Sequence, residues 1–285
     1  MKKNAPLLTL SIFLLLAIPL YIYRPGPAER KVVRYDRIVS IVPSVTELLF
    51  AVGAGDQVVG VTNYCIYPPE AKEKEKIGDL VVNYEKIIAL NPDVVMSSDR
   101  LVRKTNEELT KMGLTVVKTE ANSFEEIAEQ LRQLGRLTGH ESKGEEVARK
   151  MMERVRAVEE QVKGKPQPTV FFETTFDPIL TAGEDTYTGD AIRRAGGKNI
   201  MNDIDRPWAQ VSWEVILKRD PDVILIAHEM KDRLKSRAGW SDLKAVKTGR
   251  VAFVPKEEFV LPTPRLVKGL ERAAKLFHGH VKNNE

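Results

Sequence analysis

Asn83-Tyr84-Glu85-Lys86-Ile87-Ile88-Ala89-Leu90-Asn91-Pro92-Asp93-Val94-Val95 is matched without a gap by Ser212-Trp213-Glu214-Val215-Ile216-Leu217-Lys218-Arg219-Asp220-Pro221-Asp222-Val223-Ile224. Both copies carry a capping residue, an aromatic, a glutamate, an isoleucine and then Pro-Asp-Val. The pattern predicts, twice, a short capped helix that stops ahead of a proline and a buried β-branched strand after it. A unit that occurs twice in 285 residues implies a duplicated α/β lobe, and two such lobes enclose a cleft.

The residues on either side extend the same alternation. Ile38-Val39-Ser40-Ile41-Val42 reads as a strand, and Pro43-Ser44-Val45-Thr46-Glu47 opens a helix in which Ser44 and Glu47 have capping-box spacing. Val58-Val59-Gly60-Val61 is a second strand, followed by a loop that Pro68 and Pro69 force to be extended. From Ser123 the period changes: Phe124, Ile127, Leu131, Leu134 and Leu137 share one helical face. A longer helix over 142–162 aligns Val147, Met151, Val155, Val158 and Val162 and contains no proline, so it is a stiff connector that restricts hinge motion to small angles. Thr169-Val170-Phe171-Phe172 then restarts the pattern as a strand, and Thr188-Gly189-Asp190 caps a helix. Val251-Ala252-Phe253-Val254 is the last strand, and a helix over 266–277 closes the chain. The expected fold class is α/β, two Rossmann-like lobes with mostly parallel sheets joined by one long helix, with the ligand cleft between them. The expected segments are 1–28 as signal or anchor, 29–140 as the first lobe, 141–165 as the connector and 166–285 as the second lobe.

Lys and Arg outnumber Asp and Glu by 44 to 40, a formal charge of +4 spread over mixed-sign runs such as Ala71-Lys72-Glu73-Lys74-Glu75-Lys76. That is a solvated face and offers no nucleic-acid footprint. Lys2 and Lys3 precede an uncharged apolar run over 7–23, then Arg24-Pro25-Gly26-Pro27-Ala28, which is the layout of an export signal. Gly26 and Ala28 offer a small-x-small cleavage site, while the run itself is near the lower limit of a membrane span and holds Pro19, so removal and an uncleaved tether both stay open. Either way the folded part is expected in the periplasm or on the outer face of the cytoplasmic membrane. Cys65 is the only cysteine, which excludes an internal disulfide and multi-thiolate metal sites and reads as a buried small side chain.

Catalytic constellations are missing. No Gly-x-Gly-x-x-Gly, no P-loop and no Gly-x-Ser-x-Gly elbow occurs, so an enzyme is not expected. His140, His228, His278 and His280 are the four histidines; the last two form a weak metal-binding pair at most, and no metal site is expected. Three aromatics, Tyr64, Trp208 and Phe259, fall on loops expected at the cleft, where a wet tryptophan must find a ligand or a local partner.

The stretches from Arg37 to Glu47 and from Val59 to Pro69, the two repeat units, and Arg206-Pro207-Trp208-Ala209-Gln210-Val211-Ser212 come in an order that resembles the substrate-binding proteins of ABC importers for vitamin B12, iron-siderophores and haem. The likeness is strongest to the vitamin B12 binders and covers the chain after its signal. It implies a monomeric receptor that captures a metal chelate, a corrinoid (cobalt) first and haem or a ferric siderophore as the alternative, with no catalytic cofactor. It also implies that Glu85 and Glu214, one per lobe, dock on the two subunits of a permease dimer, and that Tyr64, Trp208 and Phe259 contact the ligand. Where B12 binders place further aromatics this chain has Asp79, Ser98 and Thr174, and Arg100 and Arg206 are the cations expected nearby. The rivals are a secreted two-lobed α/β enzyme and a tethered sensor without a transporter.

Overall fold

Asn91 and Asp220 occupy the same place in the two repeat units, and both adopt a left-handed backbone, with φ of 46° and 39°. Each ends its helix and turns the chain into the following Pro-Asp, a geometry that Asn and Asp tolerate better than other side chains. The next aspartate then caps a neighbouring strand: Asp93 Oδ2 accepts from the amides of Asp36 and Arg37 at 2.9 Å, and Asp222 Oδ2 accepts from the amide and hydroxyl of Thr169 at 2.8 Å. Pro-Asp-Val therefore ties the repeat's strand to the first strand of its own lobe, more than 50 residues earlier in the chain.

The computed structural model describes residues 33–79 and 81–279. The first lobe runs β1 (Ile38–Ser40), α1 (Pro43–Ala51), β2 (Val58–Val61), β3 (Glu75–Lys76), α2 (Tyr84–Ala89), β4 (Val94–Ser97), α3 (Asp99–Lys111) and β5 (Val116–Lys118). Helices α4 (Phe124–Thr138) and α5 (Glu141–Val162) follow. The second lobe runs β6 (Thr169–Glu173), β7 (Leu180–Ala182), α6 (Tyr187–Arg194), β8 (Lys198–Asn199), β9 (Trp208–Gln210), α7 (Trp213–Arg219) and β10 (Val223–Ile226). It ends with α8 (Lys231–Leu234), α9 (Lys244–Lys247), β11 (Val251–Phe253) and α10 (Leu266–His278).

The two main sheets have strand orders β3-β2-β1-β4-β5 and β11-β10-β6-β8, parallel throughout. Read from β8, the second order matches the β2-β1-β4-β5 part of the first, so the repeated strands β4 and β10 hold equivalent central positions. Both are buried along their length, as a parallel sheet covered on two faces requires. The expected parallel α/β architecture is thus present in duplicate. A short antiparallel pair, β7 with β9, is added in the second lobe, with Ala182 opposite Trp208.

Helix α4 is capped by Ser123, whose side chain accepts from the Glu126 amide, and ends at Gly139 with φ 75°. It packs along α5 so closely that a Cβ at Gly144 would lie 2.5 Å from the Leu131 carbonyl oxygen. Glycine is needed there because two backbones share the space. The buried stripe of α5 is Gly144, Ala148, Met151, Val155, Val158 and Val162. Val147, expected on it, is only partly buried, and Gly144 and Ala148 take the buried positions at that end of the helix. Each buried Val or Met on this stripe contributes about 1.5–3 kcal/mol. At its far end α5 meets α6 and α10, with Arg154 forked onto Glu271 at 2.8 and 2.9 Å.

Three capping expectations are corrected. Ser212 stands at the N-cap of α7 but makes no side-chain cap bond. Pro43 takes the first helical position of α1 after Val42, so Ser44 lies inside the first turn and Glu47 is free for another partner. The cap of α6 is Thr186, whose hydroxyl accepts from the Gly189 amide at 2.9 Å, while Thr188 turns inward to donate to the Phe259 carbonyl at 2.6 Å. Cys65 is buried, as expected, with Sγ 3.1 and 3.2 Å from the hydroxyls of Thr46 and Thr62. The apolar run over 7–23 and His280 lie outside the described residues. Among the described residues no helix is long and apolar enough to cross a membrane.

Candidate functional site

Parallel strands put their carboxyl ends on one edge of a sheet, and both lobes turn that edge toward a shared cleft. Ser98 follows β4, Thr119 and Glu120 follow β5, Thr174 follows β6, and Lys256, Val260, Leu261 and Pro262 follow β11; all of them line one cavity of about 390 Å³. A second cavity, of about 640 Å³, lies beside it between Tyr64, Ile66 and Tyr67 of the loop after β2 and the same Lys256, Val260 and Leu261. Lys256, Val260 and Leu261 are thus the common wall.

That wall is held from behind. Tyr187 donates its hydroxyl to the Val260 carbonyl at 2.7 Å and Thr188 holds the Phe259 carbonyl, so α6 fixes two consecutive peptides. Phe259 is fully buried and stacks on Phe172 with ring centroids 5.7 Å apart. The expectation that Phe259 contacts the ligand is therefore corrected: its ring serves the core because the backbone turn at Lys256–Glu258 points it inward, and its neighbours Val260 and Leu261 face the cavity instead.

Trp208 does line the smaller cavity, where it leans on Tyr187 at 5.8 Å with the rings inclined by 53°. Its place at the start of β9 is set by pairing with β7, so the segment expected as a loop is a strand edge there. Tyr64 is 53% exposed and stands on the wall of the larger cavity, with Tyr67 beside it. Ser98 and Thr174 are in the smaller cavity's wall, whereas Asp79 is bonded to Asn63 Nδ2 at 2.8 Å. Arg100 reaches the cavity and Arg206 is an exposed residue outside both linings.

Charge in the cleft is mostly self-neutralised. Glu120 accepts from Ser98 Oγ at 2.5 Å and the Arg100 amide at 2.9 Å and lies 3.8 Å from the Arg100 guanidinium, which also donates to Asn122 at 2.7 Å. Glu47 and Arg265, in the larger cavity, form a forked ion pair. Sequence reading missed Leu101, Glu120, Tyr187 and Lys256; the position of Glu120 and Lys256 just beyond strands β5 and β11 was the available signal. Among the described residues no group of three or more His, Cys, Asp and Glu is placed to hold a metal ion. His278 Nε2 donates to the Ala195 carbonyl at 2.8 Å.

Glu85 and Glu214 are exposed in the first turns of α2 and α7, the two repeated helices, away from the cleft linings. Asn83 caps α2 by accepting from the Lys86 amide at 2.9 Å. A hydrogen bond from Ser212, helped by a backbone amide, holds the Glu214 carboxyl below the usual carboxylate range.

Comparison with known proteins places this architecture. The family model described as "Periplasmic binding protein" matches residues 38–258. The uncharacterized ABC transporter substrate-binding lipoprotein YvrC of Bacillus subtilis is 34% identical over 247 residues, covering 84% of this chain and 78% of its own. The vitamin B12-binding protein of Salmonella paratyphi A is 31% identical over 259 residues, covering 90% and 91%. The crystal structure of the periplasmic vitamin B12-binding protein BtuF of Vibrio cholerae superposes with a TM-score of 0.77 at 26% identity, over 85% of this chain and 96% of that one.

Proposed function

We propose, from the premise that the chain belongs to the periplasmic binding protein family, that it is the extracytoplasmic receptor of an ABC importer and that its cargo is a metal chelate, a corrinoid before haem or a ferric siderophore. The observation that carries this reading is the two-part cleft at the carboxyl ends of both sheets, with Trp208 in one part and Tyr64 in the other. A large planar chelate offers apolar faces to those rings, and burial of such faces supplies most of the affinity for a rigid ligand. Ser98 and Thr174 leave room where aromatics would narrow the smaller cavity, which favours a ligand with bulky edges over a bare flat ring. The likeness to vitamin B12-binding proteins across nine-tenths of the chain supports the corrinoid.

In this reading Glu85 and Glu214 meet the two permease subunits. Their equivalence within the repeat supports the role, because a two-fold related partner requires the same group twice. The N-terminal segment exports the chain and either is removed or tethers it.

The test is a titration of the purified protein with cyanocobalamin, dicyanocobinamide, haemin and ferric siderophores, followed by tryptophan fluorescence and calorimetry. Saturable binding of a corrinoid with quenching that is lost in Trp208→Ala is expected. Absence of binding by all of these chelates would overturn the reading.

A further inference from the structure

We propose that Lys256 selects, among metal chelates, those that carry an ionised carboxylate or phosphate at their edge. The inference rests on the receptor reading above and adds the charge of the ligand to it.

Lys256 belongs to the wall shared by both cavities. Its backbone is fixed by the turn in which its carbonyl accepts from the amides of Phe259 and Val260 at 3.0 and 2.9 Å, and by the hold of α6 on those same two residues, while the residue itself is exposed to solvent. The other cations of the two linings already have carboxylates: Arg100 has Glu120, and Arg265 has Glu47. Lys256 has no carboxylate within salt-bridge distance among the described residues. Glu257 lines only the larger cavity, where it offsets Lys256; on the Trp208 side the balance is one positive charge.

A ligand that fills the cleft strips water from this ammonium. An uncharged edge leaves the cation without compensation, whereas an anionic one replaces the lost water with a charge-assisted hydrogen bond. The wall therefore favours an anion at the junction of the two cavities, next to the Trp208 face, and works against a neutral analogue of the same shape.

The experiment uses the full chain and two pairs of probes: haemin with its dimethyl ester, matched in shape, and cyanocobalamin with dicyanocobinamide, which lacks the phosphodiester together with its ribose and benzimidazole. Dissociation constants are measured for wild type, Lys256→Gln, Lys256→Glu and Lys256→Arg. Lys256→Gln is expected to weaken the anionic member of the bound pair about tenfold and leave its partner within about twofold, with a larger loss in Lys256→Glu and recovery in Lys256→Arg. Equal effects of Lys256→Gln on both members of a pair, in a wild type that binds them, overturn the inference and leave the receptor reading standing. Failure of the wild type to bind any of the four probes overturns the chelate reading and the inference with it.

Discussion

Arg265 and Glu47 are 218 residues apart and form a two-pronged ion pair that joins the segment leading into α10 to helix α1: Nε donates to Oε2 at 2.9 Å while the other arm of the guanidinium holds Oε1. The same guanidinium lies 4.1 Å from the centre of the Tyr67 ring. Together the three residues separate the larger cleft cavity from an outer groove of about 500 Å³. Burial pushes the Glu47 carboxyl above its ordinary value even though Arg265 pulls it down.

Removing one partner leaves the other buried without compensation. Arg265→Met is expected to cost about 3–5 kcal/mol, and Glu47→Met with Arg265→Met together to recover most of it, because two apolar side chains replace a desolvated pair. Denaturant midpoints of the wild type, both single variants and the double variant check this. The sign with pH is set by the raised carboxyl: Glu47 binds its proton more tightly in the folded state, so its contribution is fully present below the unfolded value of 4.5 and falls as pH rises through the folded one. The Arg265→Met variant, which lacks the guanidinium, is expected to show that fall more steeply.

Asp222, the aspartate of the second repeat, behaves in the opposite direction. Burial works against its charge, but Lys244 at 2.5 Å and the amide and hydroxyl of Thr169 outweigh it and bring the carboxyl down to about 2. A depressed folded value gives stability that is present above the unfolded 3.8 and is lost as pH falls toward about 2. Asp222→Asn is expected to cost about 1–2 kcal/mol at pH 7, after allowing for partial solvent screening, and to flatten the stability curve across that acid window. Denaturation midpoints measured from pH 2 to 7 decide it; an unchanged slope would show that the carboxylate is not what ties β10 to β6.

The duplicated unit was legible where its signals are local. The cap made by Asn83 and the left-handed Asn or Asp before proline act within a few residues of the chain and are visible as residue types, whereas the aspartate of each copy reaches a strand more than 50 residues away and Ser212 makes no side-chain cap. Tyr64 was expected at the cleft because it lies on the loop just beyond β2, and Trp208, expected on a loop, begins β9 and reaches a cavity wall all the same. What the residues did not disclose depends on distant partners. Ser44 and Glu47 have the spacing of a capping box, yet Pro43 moves the helix start and Arg265 claims the carboxylate from across the molecule. Phe259 sits on a loop by sequence, and only the stack with Phe172 and the grip of Thr188 place its ring in the core. Lys256 looks like any lysine in a mixed-sign run until the two cavities are seen to share it.

Glu85 and Glu214 give the test of the transport role that is independent of the cleft. Both are exposed on helices that precede the central strands β4 and β10, and neither lines the two cavities, so a charge change there leaves the ligand wall in place. Charge reversal at one site, Glu85→Lys or Glu214→Lys, is expected to weaken capture by the membrane-embedded permease and slow uptake, because one rim charge mainly affects association. Reversal at both should abolish uptake, since two repulsive contacts then face a two-fold related partner. The dissociation constant for the cargo should stay within about twofold in all three variants, because the substitutions change only distant, solvent-screened charge. Uptake in cells carrying the cognate permease, measured beside ligand titrations of the purified variants, separates the two steps. Wild-type uptake by the double variant would sink the docking role while leaving the binding reading intact.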